Sequence, residues 1–187
     1  KDIKPTISIS DNMDKYIIRG NPNKFSVAII FILTGNLNLD EIIKITMQKQ
    51  TPINFFIDFT YLNKNINKIK EVKNGSFYTY GDNGVYAPDI LLFSNNLLEN
   101  IGNNKASYCL SDTKNNKTLQ LCKNYNMYTI IPNITGGYND IKNNLKSGSI
   151  ILLESSYKNI SELNNIINFI NNKGYNIVSL DNLLSEK

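Results

Sequence analysis

The sequence of 187 residues contains no histidine and no tryptophan, and it has only two cysteines, Cys109 and Cys122. The two cysteines do not form a CxxC pair, and the Cys/His spacings that hold zinc are absent. We interpret both cysteines as buried thiols, because a disulfide requires Cα atoms within about 7 Å and the sequence does not fix that distance. A Cys/His zinc cluster is excluded.

Runs of basic residues and long apolar runs are missing as well. The net charge is +4 at pH 7, but the lysines are scattered and Arg19 is the only arginine. This pattern indicates a solvated surface, and we expect no nucleic-acid partner. No stretch is apolar over enough residues to span a membrane. The glycine spacings of dinucleotide-binding loops and P-loops are also absent.

The sequence does contain a large apolar and aromatic fraction. Hydrophobic residues make up 41% of the chain, with 11 Tyr and 8 Phe, which is typical of a folded globule. The length suits one domain. Because residues 1–25 are polar and irregular, we predict an N-terminal arm over 1–25 and a domain over 26–187. The chain begins with Lys1 and not with Met, so we expect that a signal peptide or membrane anchor has been removed.

Short apolar and β-branched runs alternate along the domain with segments of helical spacing. The predicted strands are Val27–Leu33, Ile53–Ile57, Ser76–Tyr80, Ala106–Cys109, Met127–Ile131, Ser149–Leu153 and Asn176–Ser179. Predicted helices begin at Asn38 and span Pro88–Ile101 and Ser161–Asn172. Buried strands that alternate with helices imply a parallel sheet. We therefore predict an α/β fold, a small or incomplete (β/α)7-type barrel with parallel strands, and a doubly wound open sheet is the alternative.

Several blocks of this pattern resemble the polysaccharide deacetylases, the NodB-homology domains of carbohydrate esterase family 4. The segment Arg19–Phe31 resembles the approach to the family's first strand, V-A-L-T-F-D-D-G. Pro52–Ile57 resembles A-T-F-F-V on the second strand. Near the end, Ser147–Leu153 resembles G-S-I-I-L-L-H-D and Gly174–Leu180 resembles G-Y-x-F-V-T-L. The blocks keep the family's order over roughly residues 17–187.

The resemblance implies a metal-dependent chemistry. Family members hold a divalent metal with one Asp and two His, and they use a second Asp as general base and a late His as general acid. Carried over to this sequence, the two aspartates fall on Ile32 and Leu33, and the late histidine falls on Glu154. The metal histidines fall on Gly81 and Val85, or on the residue after Val85 with a shift of one position.

Two further family blocks are degenerate in the same way. The block R-P-P-Y-G lies near Tyr108–Asp112 without its Arg or prolines, and W-x-x-D lies near Tyr128–Asn133 without its Trp or Asp. The resemblance therefore implies a degenerate member of the family, a pseudoenzyme that has lost the reaction and uses no metal or other cofactor.

Two classes of function remain open. The first is a catalytically inactive domain that binds or scaffolds a glycan, such as peptidoglycan, or a cell-envelope protein, with Asp82, Tyr108, Asp112 and Glu154 as candidate ligand-binding residues. The second is a hydrolase that deacetylates N-acetylated cell-wall polysaccharide with rearranged carboxylates, Asp112 and Glu154. Together with Asp58 and Asp82, these two acids could instead bind Ca²⁺ or Mg²⁺, or all four are loop carboxylates and helix caps. We favour the first class.

The resemblance also implies a cellular setting. Family members act on peptidoglycan, chitin and related polymers, so we expect an extracytoplasmic or membrane-anchored protein at a bacterial cell envelope. The first block is most similar to deacetylase-like proteins of spore-forming bacteria, which implies a role in sporulation.

Overall fold

The strands form two parallel sheets that together enclose an apolar interior. The computed structural model describes residues 13–35, 38–102 and 107–185. The strands in these ranges are β1 (Ser26–Leu33), β2 (Ile53–Ile57), β3 (Gly75–Thr79), β4 (Tyr108–Leu110), β5 (Tyr128–Ile130), β6 (Ile134–Gly136), β7 (Ile150–Leu153) and β8 (Asn176–Ile177). The helices are α1 (Leu39–Gln48), α2 (Phe59–Lys64), α3 (Ile66–Glu71), α4 (Pro88–Asn100), α5 (Asn116–Asn124), α6 (Tyr138–Asn144), α7 (Tyr157–Ser161), α8 (Leu163–Asn172) and α9 (Leu180–Leu184).

Strand β1 is the centre of the larger sheet. The strand order there is β3-β2-β1-β7-β6, with β8 also paired to β1, and β4 and β5 form a separate pair. All pairings between these strands are parallel, and helices follow most of them along the chain. The predicted parallel α/β fold is confirmed.

Each face of β1 is buried in a different hydrophobic cluster, because successive side chains of a strand point to opposite sides. On the helix-covered side, the ring of Phe55 stacks between Phe31, 6.3 Å away between centroids, and Phe77, 5.2 Å away. On the inner side, Phe56 contacts Tyr78 with centroids 5.2 Å apart. The strands therefore separate an outer core beneath the helices from an inner core that fills the barrel.

A tyrosine hydroxyl joins the two sheets between β3 and β4. Tyr86 is buried, and its hydroxyl donates to the carbonyl of Thr79 at 2.9 Å while it accepts from the backbone N–H of Leu110 at 2.9 Å. Burial raises the pKa of Tyr86, so the phenol keeps the proton that it donates. The side chain thus replaces a strand-to-strand hydrogen bond at this gap.

The N-terminal segment covers the free edge of β5. Residues 1–12 lie outside the described residues. Ile17 is fully buried, its N–H donates to the carbonyl of Thr129 at 2.9 Å, and its carbonyl accepts from the N–H of Ile131 at 2.9 Å. This part of the predicted arm packs as an added bridge on the sheet, and the domain boundary at residue 26 stays a prediction.

Strands β2 and β8 pair with the same edge of β1, one after the other, and a buried amide fills the gap between them. Strand β8 pairs with the first residues of β1, and β2 pairs with the last. Between them, Asn54 is fully buried: its Nδ2 donates to the carbonyl of Ile29 at 3.0 Å, and its Oδ1 accepts from the N–H of Leu180 at 3.0 Å. The amide supplies partners to backbone groups that lose their ladder hydrogen bonds at the divergence.

Cys109 and Cys122 form a disulfide with their Cα atoms 6.5 Å apart. Both positions are buried, but the interpretation of two thiols is wrong. The bond joins β4 to α5, and the distance that permits it depends on how α5 packs back onto β4, which is a tertiary contact. Closing a loop of this length stabilises a fold by about 3 kcal/mol.

The strands differ from the prediction mainly at β6. This strand has three residues between Pro132 and Gly137, and that composition is typical of a loop. Its pairing with β7 makes it a strand. The strand predicted from residue 106 begins at Tyr108, and residue 106 itself lies outside the described residues.

Most of the predicted helix ends agree with the structure, but the predicted start at Ser161 is wrong, because Ser161 ends α7 and α8 begins at Leu163. Asn38 caps α1, where its Oδ1 accepts from the N–H of Glu41 at 3.1 Å. Helix α8 ends before Lys173, and Gly174 follows with a φ of +88°. None of the helices in the described ranges has the length and apolar composition that a membrane crossing requires.

Replacing Asn54 with leucine tests the role of the buried amide. Asn54→Leu leaves a buried N–H and a buried carbonyl without partners, and each such group costs about 1–3 kcal/mol, so we expect the free energy of unfolding to fall by about 2–6 kcal/mol. Urea denaturation followed by circular dichroism measures the change. Asn63→Ala, at an exposed position of α2, is the control and should stay within about 0.5 kcal/mol of the parent. Equal effects of the two changes would contradict this role.

Candidate functional site

The carboxyl ends of the strands meet at one end of the barrel. We call this end the mouth and define it by Ile32 near the end of β1 and by the residues that follow β2, β3, β4 and β7, which are Asp58, Tyr80, Asp112 and Glu154. Barrels of parallel strands carry their active sites at this end, because the loops there bring side chains from many strands together.

Hydrocarbon lines the β1 side of the mouth. Ile32 is half-buried and packs with Tyr80 against the inner core. Leu33 is fully buried on the opposite face of the strand, in the outer core beneath the helices. Neither side chain can bind a cation or move a proton.

Asp58 is a helix cap. Its Oδ2 accepts from the N–H groups of Thr60 at 3.0 Å and Tyr61 at 3.4 Å. These two hydrogen bonds cap the N-terminus of α2. Its Oδ1 accepts from the N–H of Asn83 at 2.7 Å. The side chain is buried, and it ties the end of β2 to the turn after β3. Of the expectations for this acid, the helix cap is confirmed.

A tight turn occupies the segment onto which the sequence resemblance places the family's metal histidines. Gly81 has a φ of +63°, and a Cβ there would lie 2.4 Å from the carbonyl oxygen of Val85, so the turn requires glycine. Asp82 and Val85 exchange two backbone hydrogen bonds of 2.9 Å. Asp82 is exposed, and Val85 is 67% exposed. The turn thus presents an apolar side chain and a single acid to solvent.

Tyr80 is a half-buried phenol beside two acids. Burial raises the pKa of Tyr80, and the negative charges of Asp112 and Asp58 raise it further. Its hydroxyl lies over the turn, since a Cβ added to Gly84 would lie 2.8 Å from the hydroxyl oxygen. Asp112 is exposed. A protonated phenol near a carboxylate offers a hydrogen-bond donor and an acceptor to one ligand.

Glu154 is exposed, while its backbone is held firmly. Its N–H donates to the carbonyl of Gly136 at 3.0 Å, and its carbonyl accepts from Nδ2 of Asn159 at 2.8 Å. Asn159 is buried and also donates to the carbonyl of Gly136 at 3.2 Å. The sequence does not predict this role of Asn159, because one more asparagine in an Asn-rich chain carries no signal.

Tyr108 lies away from the mouth. It is fully buried in the inner core, and its hydroxyl donates to Oδ1 of Asp181 at 2.9 Å. Asp181 lies on α9, which follows β8, and β8 pairs with the first residues of β1 at the opposite end of the barrel. Burial and the Asp181 carboxylate raise the pKa of Tyr108. Tyr108 is therefore out of reach of a ligand at the mouth.

Solved structures of family 4 carbohydrate esterases share this architecture. A pseudoenzyme of that family from Bacillus anthracis matches with a TM-score of 0.83 and 18% identity, over 95% of this chain and 71% of that one. A mutant of the same pseudoenzyme with restored enzymatic activity matches with a TM-score of 0.83 and 20% identity, over 95% and 74%. The Bacillus subtilis family 4 carbohydrate esterase PdaA matches with a TM-score of 0.78 and 14% identity, over 98% and 95%.

This chain has the polysaccharide deacetylase fold. The similarity is one of structure, since neither a protein-family model nor a curated protein matches the sequence. The resemblance read from the strand blocks is thus confirmed for the fold.

The metal that the deacetylase fold implies does not fit the residues that the structure describes. The sequence has no histidine. Within residues 13–35, 38–102 and 107–185, no group of three or more Cys, Asp or Glu side chains lies close enough together to hold a metal ion. Asp58, the buried acid of the mouth, already accepts three backbone hydrogen bonds. Such a metal requires several ligand atoms held at fixed positions around it, and the acids described here do not supply them.

The charge of Asp112 can be tested through the titration of Tyr80. Asp112→Asn removes a negative charge that raises the pKa of Tyr80, so we expect that pKa to fall, while burial keeps it above its ordinary value. NMR of ¹³Cζ-labelled tyrosine in an alkaline titration measures it. Because the folded pKa lies above the unfolded one, the contribution of Tyr80 to stability is full below about pH 10 and is lost as the pH rises through the folded pKa.

Asp82→Asn is the matched control for this titration. Asp82 is an exposed acid of the neighbouring turn, and its charge is not among those that shift Tyr80. An equal fall of the Tyr80 pKa in both variants would contradict the prediction, because it would show that the charge of Asp112 acts on the phenol no more than the charge of Asp82 does.

Proposed function

We propose that this chain is a catalytically inactive deacetylase-like domain that binds cell-wall glycan at the mouth of its barrel. The observation that carries the proposal is the hydrocarbon at the end of β1, where Ile32 and Leu33 stand. Metal-assisted deacetylation needs ligands that hold the ion and leave one position open for water or substrate. The described residues around the mouth offer no such set.

A structural precedent supports the loss of the reaction. The Bacillus anthracis protein with a TM-score of 0.83 is a family 4 pseudoenzyme, and a mutant of it has restored enzymatic activity. The same scaffold therefore exists with and without catalysis, so retention of the fold in this chain does not require retention of the reaction.

The side chains around the mouth suit a polyhydroxylated ligand. Tyr80 offers a phenol that burial keeps protonated, and Asp112 offers a carboxylate near it. Across the mouth, Tyr157 at the start of α7 is 91% exposed, in the loop region after β7. Aromatic rings pack against the apolar faces of sugars, while phenols and carboxylates bond their hydroxyl groups.

The setting that we propose is the cell envelope, outside the cytoplasm. The disulfide between Cys109 and Cys122 supports it, because disulfides persist in oxidising compartments. Solved structures of similar fold include a peptidoglycan N-acetylglucosamine deacetylase and the Bacillus subtilis peptidoglycan deacetylase PdaC, which supports the same setting. The role in sporulation stays a prediction, and so does an envelope protein as the partner.

The alternative hydrolase with rearranged carboxylates has no observation in its favour. Asp112 and Glu154 follow β4 and β7, which belong to different sheets, and both side chains are exposed. General acid and base catalysis needs both groups within hydrogen-bond reach of one substrate.

Two assays on the purified protein test the proposal. With N-acetylated peptidoglycan or chitotetraose and added Zn²⁺, Mn²⁺ or Co²⁺, we expect no acetate release above the blank. In sedimentation with insoluble peptidoglycan, we expect the protein to bind, and Tyr157→Ala should weaken binding about tenfold because one such ring contributes on the order of 1.4 kcal/mol.

Phe25→Ala is the matched control for the binding assay. Phe25 is 63% exposed and precedes β1, at the end of the barrel away from the mouth, so its removal should leave binding unchanged. Acetate release that Glu154→Gln abolishes would establish the hydrolase instead. Binding that Tyr157→Ala and Phe25→Ala reduce equally would remove the mouth as the site.

A further inference from the structure

A groove of about 460 Å³ runs along the outer surface of the barrel between α6 and α8. Its lining comes from helices and not from strand ends, so it is separate from the mouth. The side chains that line it are Tyr138, Glu162, Asn165, Asn168, Phe169 and Asn172. Aromatic rings and amides thus make up most of the groove.

The aromatic part of the groove is a pair of rings at an angle. Tyr138 on α6 and Phe169 on α8 have centroids 5.4 Å apart and ring planes inclined by 69°. Both side chains are half-buried, so each ring is fixed by packing and still borders the groove. Fixed rings at the wall of an open groove can pack against the apolar face of a sugar with little loss of side-chain entropy.

The amide part of the groove follows one face of α8. Asn165, Asn168 and Asn172 are exposed and lie on successive turns, which places the first and last roughly 10 Å apart. Oδ1 of Asn168 accepts from Nζ of Lys49 at 2.9 Å. Among the described residues, no hydrogen bond occupies the side chains of Asn165 and Asn172. Each of these amides offers donors and an acceptor to hydroxyl or acetamide groups.

Helix stability does not explain this row of amides. Asparagine is a poor helix former, roughly 0.6 kcal/mol less favourable than alanine at each interior position. Helix α8 tolerates several of them because its other face is buried in the outer core through Ile166, Ile167 and Ile170. The exposed face is therefore free to serve a ligand.

The charge of the groove selects a neutral ligand. Glu162 is the carboxylate in its lining, and Nζ of Lys173 lies 5.6 Å from the ring centroid of Phe169 beside it. Nζ of Lys49, which donates to Oδ1 of Asn168, is a second cation at the groove. The two ammonium groups disfavour a polycation, and the carboxylate in the lining disfavours a polyanion. We propose that this groove is a second saccharide site, which binds a neutral N-acetylated oligosaccharide independently of whether the mouth binds glycan.

Site-resolved NMR with chitotetraose tests the groove. In the intact chain labelled with ¹⁵N, we expect the side-chain amide signals of Asn165 and Asn172 to shift and saturate as chitotetraose is added. Tyr138→Ala should raise the dissociation constant read from these signals about tenfold, which corresponds to one lost ring contact. Leu92→Ala, at an exposed position of α4 outside the lining of the groove, should leave the constant unchanged.

Asn165→Ala and Asn172→Ala together are the second test, and Asn164→Ala with Asn171→Ala is their matched control. All four residues are exposed on α8, but only the first two line the groove. The first pair should weaken binding at least about tenfold, read from the Tyr138 ring signals, and the control pair should not.

Three outcomes would overturn this proposal. Groove signals that do not move with chitotetraose would exclude an N-acetylated oligosaccharide. Equal effects of the two asparagine pairs would show that the groove amides have no special part. Groove signals that shift with protein concentration in the absence of sugar would identify the surface as a contact between copies of the chain.

Discussion

Strand β1 is apolar on both faces, and the rest of the architecture follows from the need to cover both. Helices cover the outward face, where Phe31 packs with the rings of neighbouring strands. The inward face is covered by the other strands, whose side chains meet in the inner core. Because burial of apolar surface is the dominant favourable contribution to folding, a strand of this kind fixes three parallel partners around itself.

The same constraint limits the chemistry at the mouth. The apolar run of β1 continues to its last residues, so Ile32 extends the inner core to the opening and Leu33 extends the outer core. A charge at either position would have to be desolvated against hydrocarbon unless it were paired. The positions onto which the resemblance places the family's two aspartates are, in this chain, continuous with the core.

The sequence predicts best what local pattern decides. The apolar runs locate β1 and β2, and Asn38 with acids after it locates the start of α1. Features that depend on distances between segments far apart in the chain cannot be predicted from local pattern. The disulfide, the short strand β6 and the inward burial of Tyr108 arise from packing between segments far apart in sequence. At the mouth, the positions of the acids follow from the strand ends, but the three N–H groups bound by Asp58 do not.

Hydrogen bonds of buried side chains hold the loops of the mouth, and none of these bonds involves a metal. Asp58 accepts from backbone N–H groups that follow β2 and β3, Tyr86 joins β3 to β4, and Asn159 binds the ends of β6 and β7. Each is a buried polar group that would be costly to leave unpaired. The hydrogen bonds that fix the shape of the opening therefore contribute to the stability of the fold, and they do not depend on catalysis. A scaffold stabilised in this way does not need a bound metal or a working reaction to keep its shape.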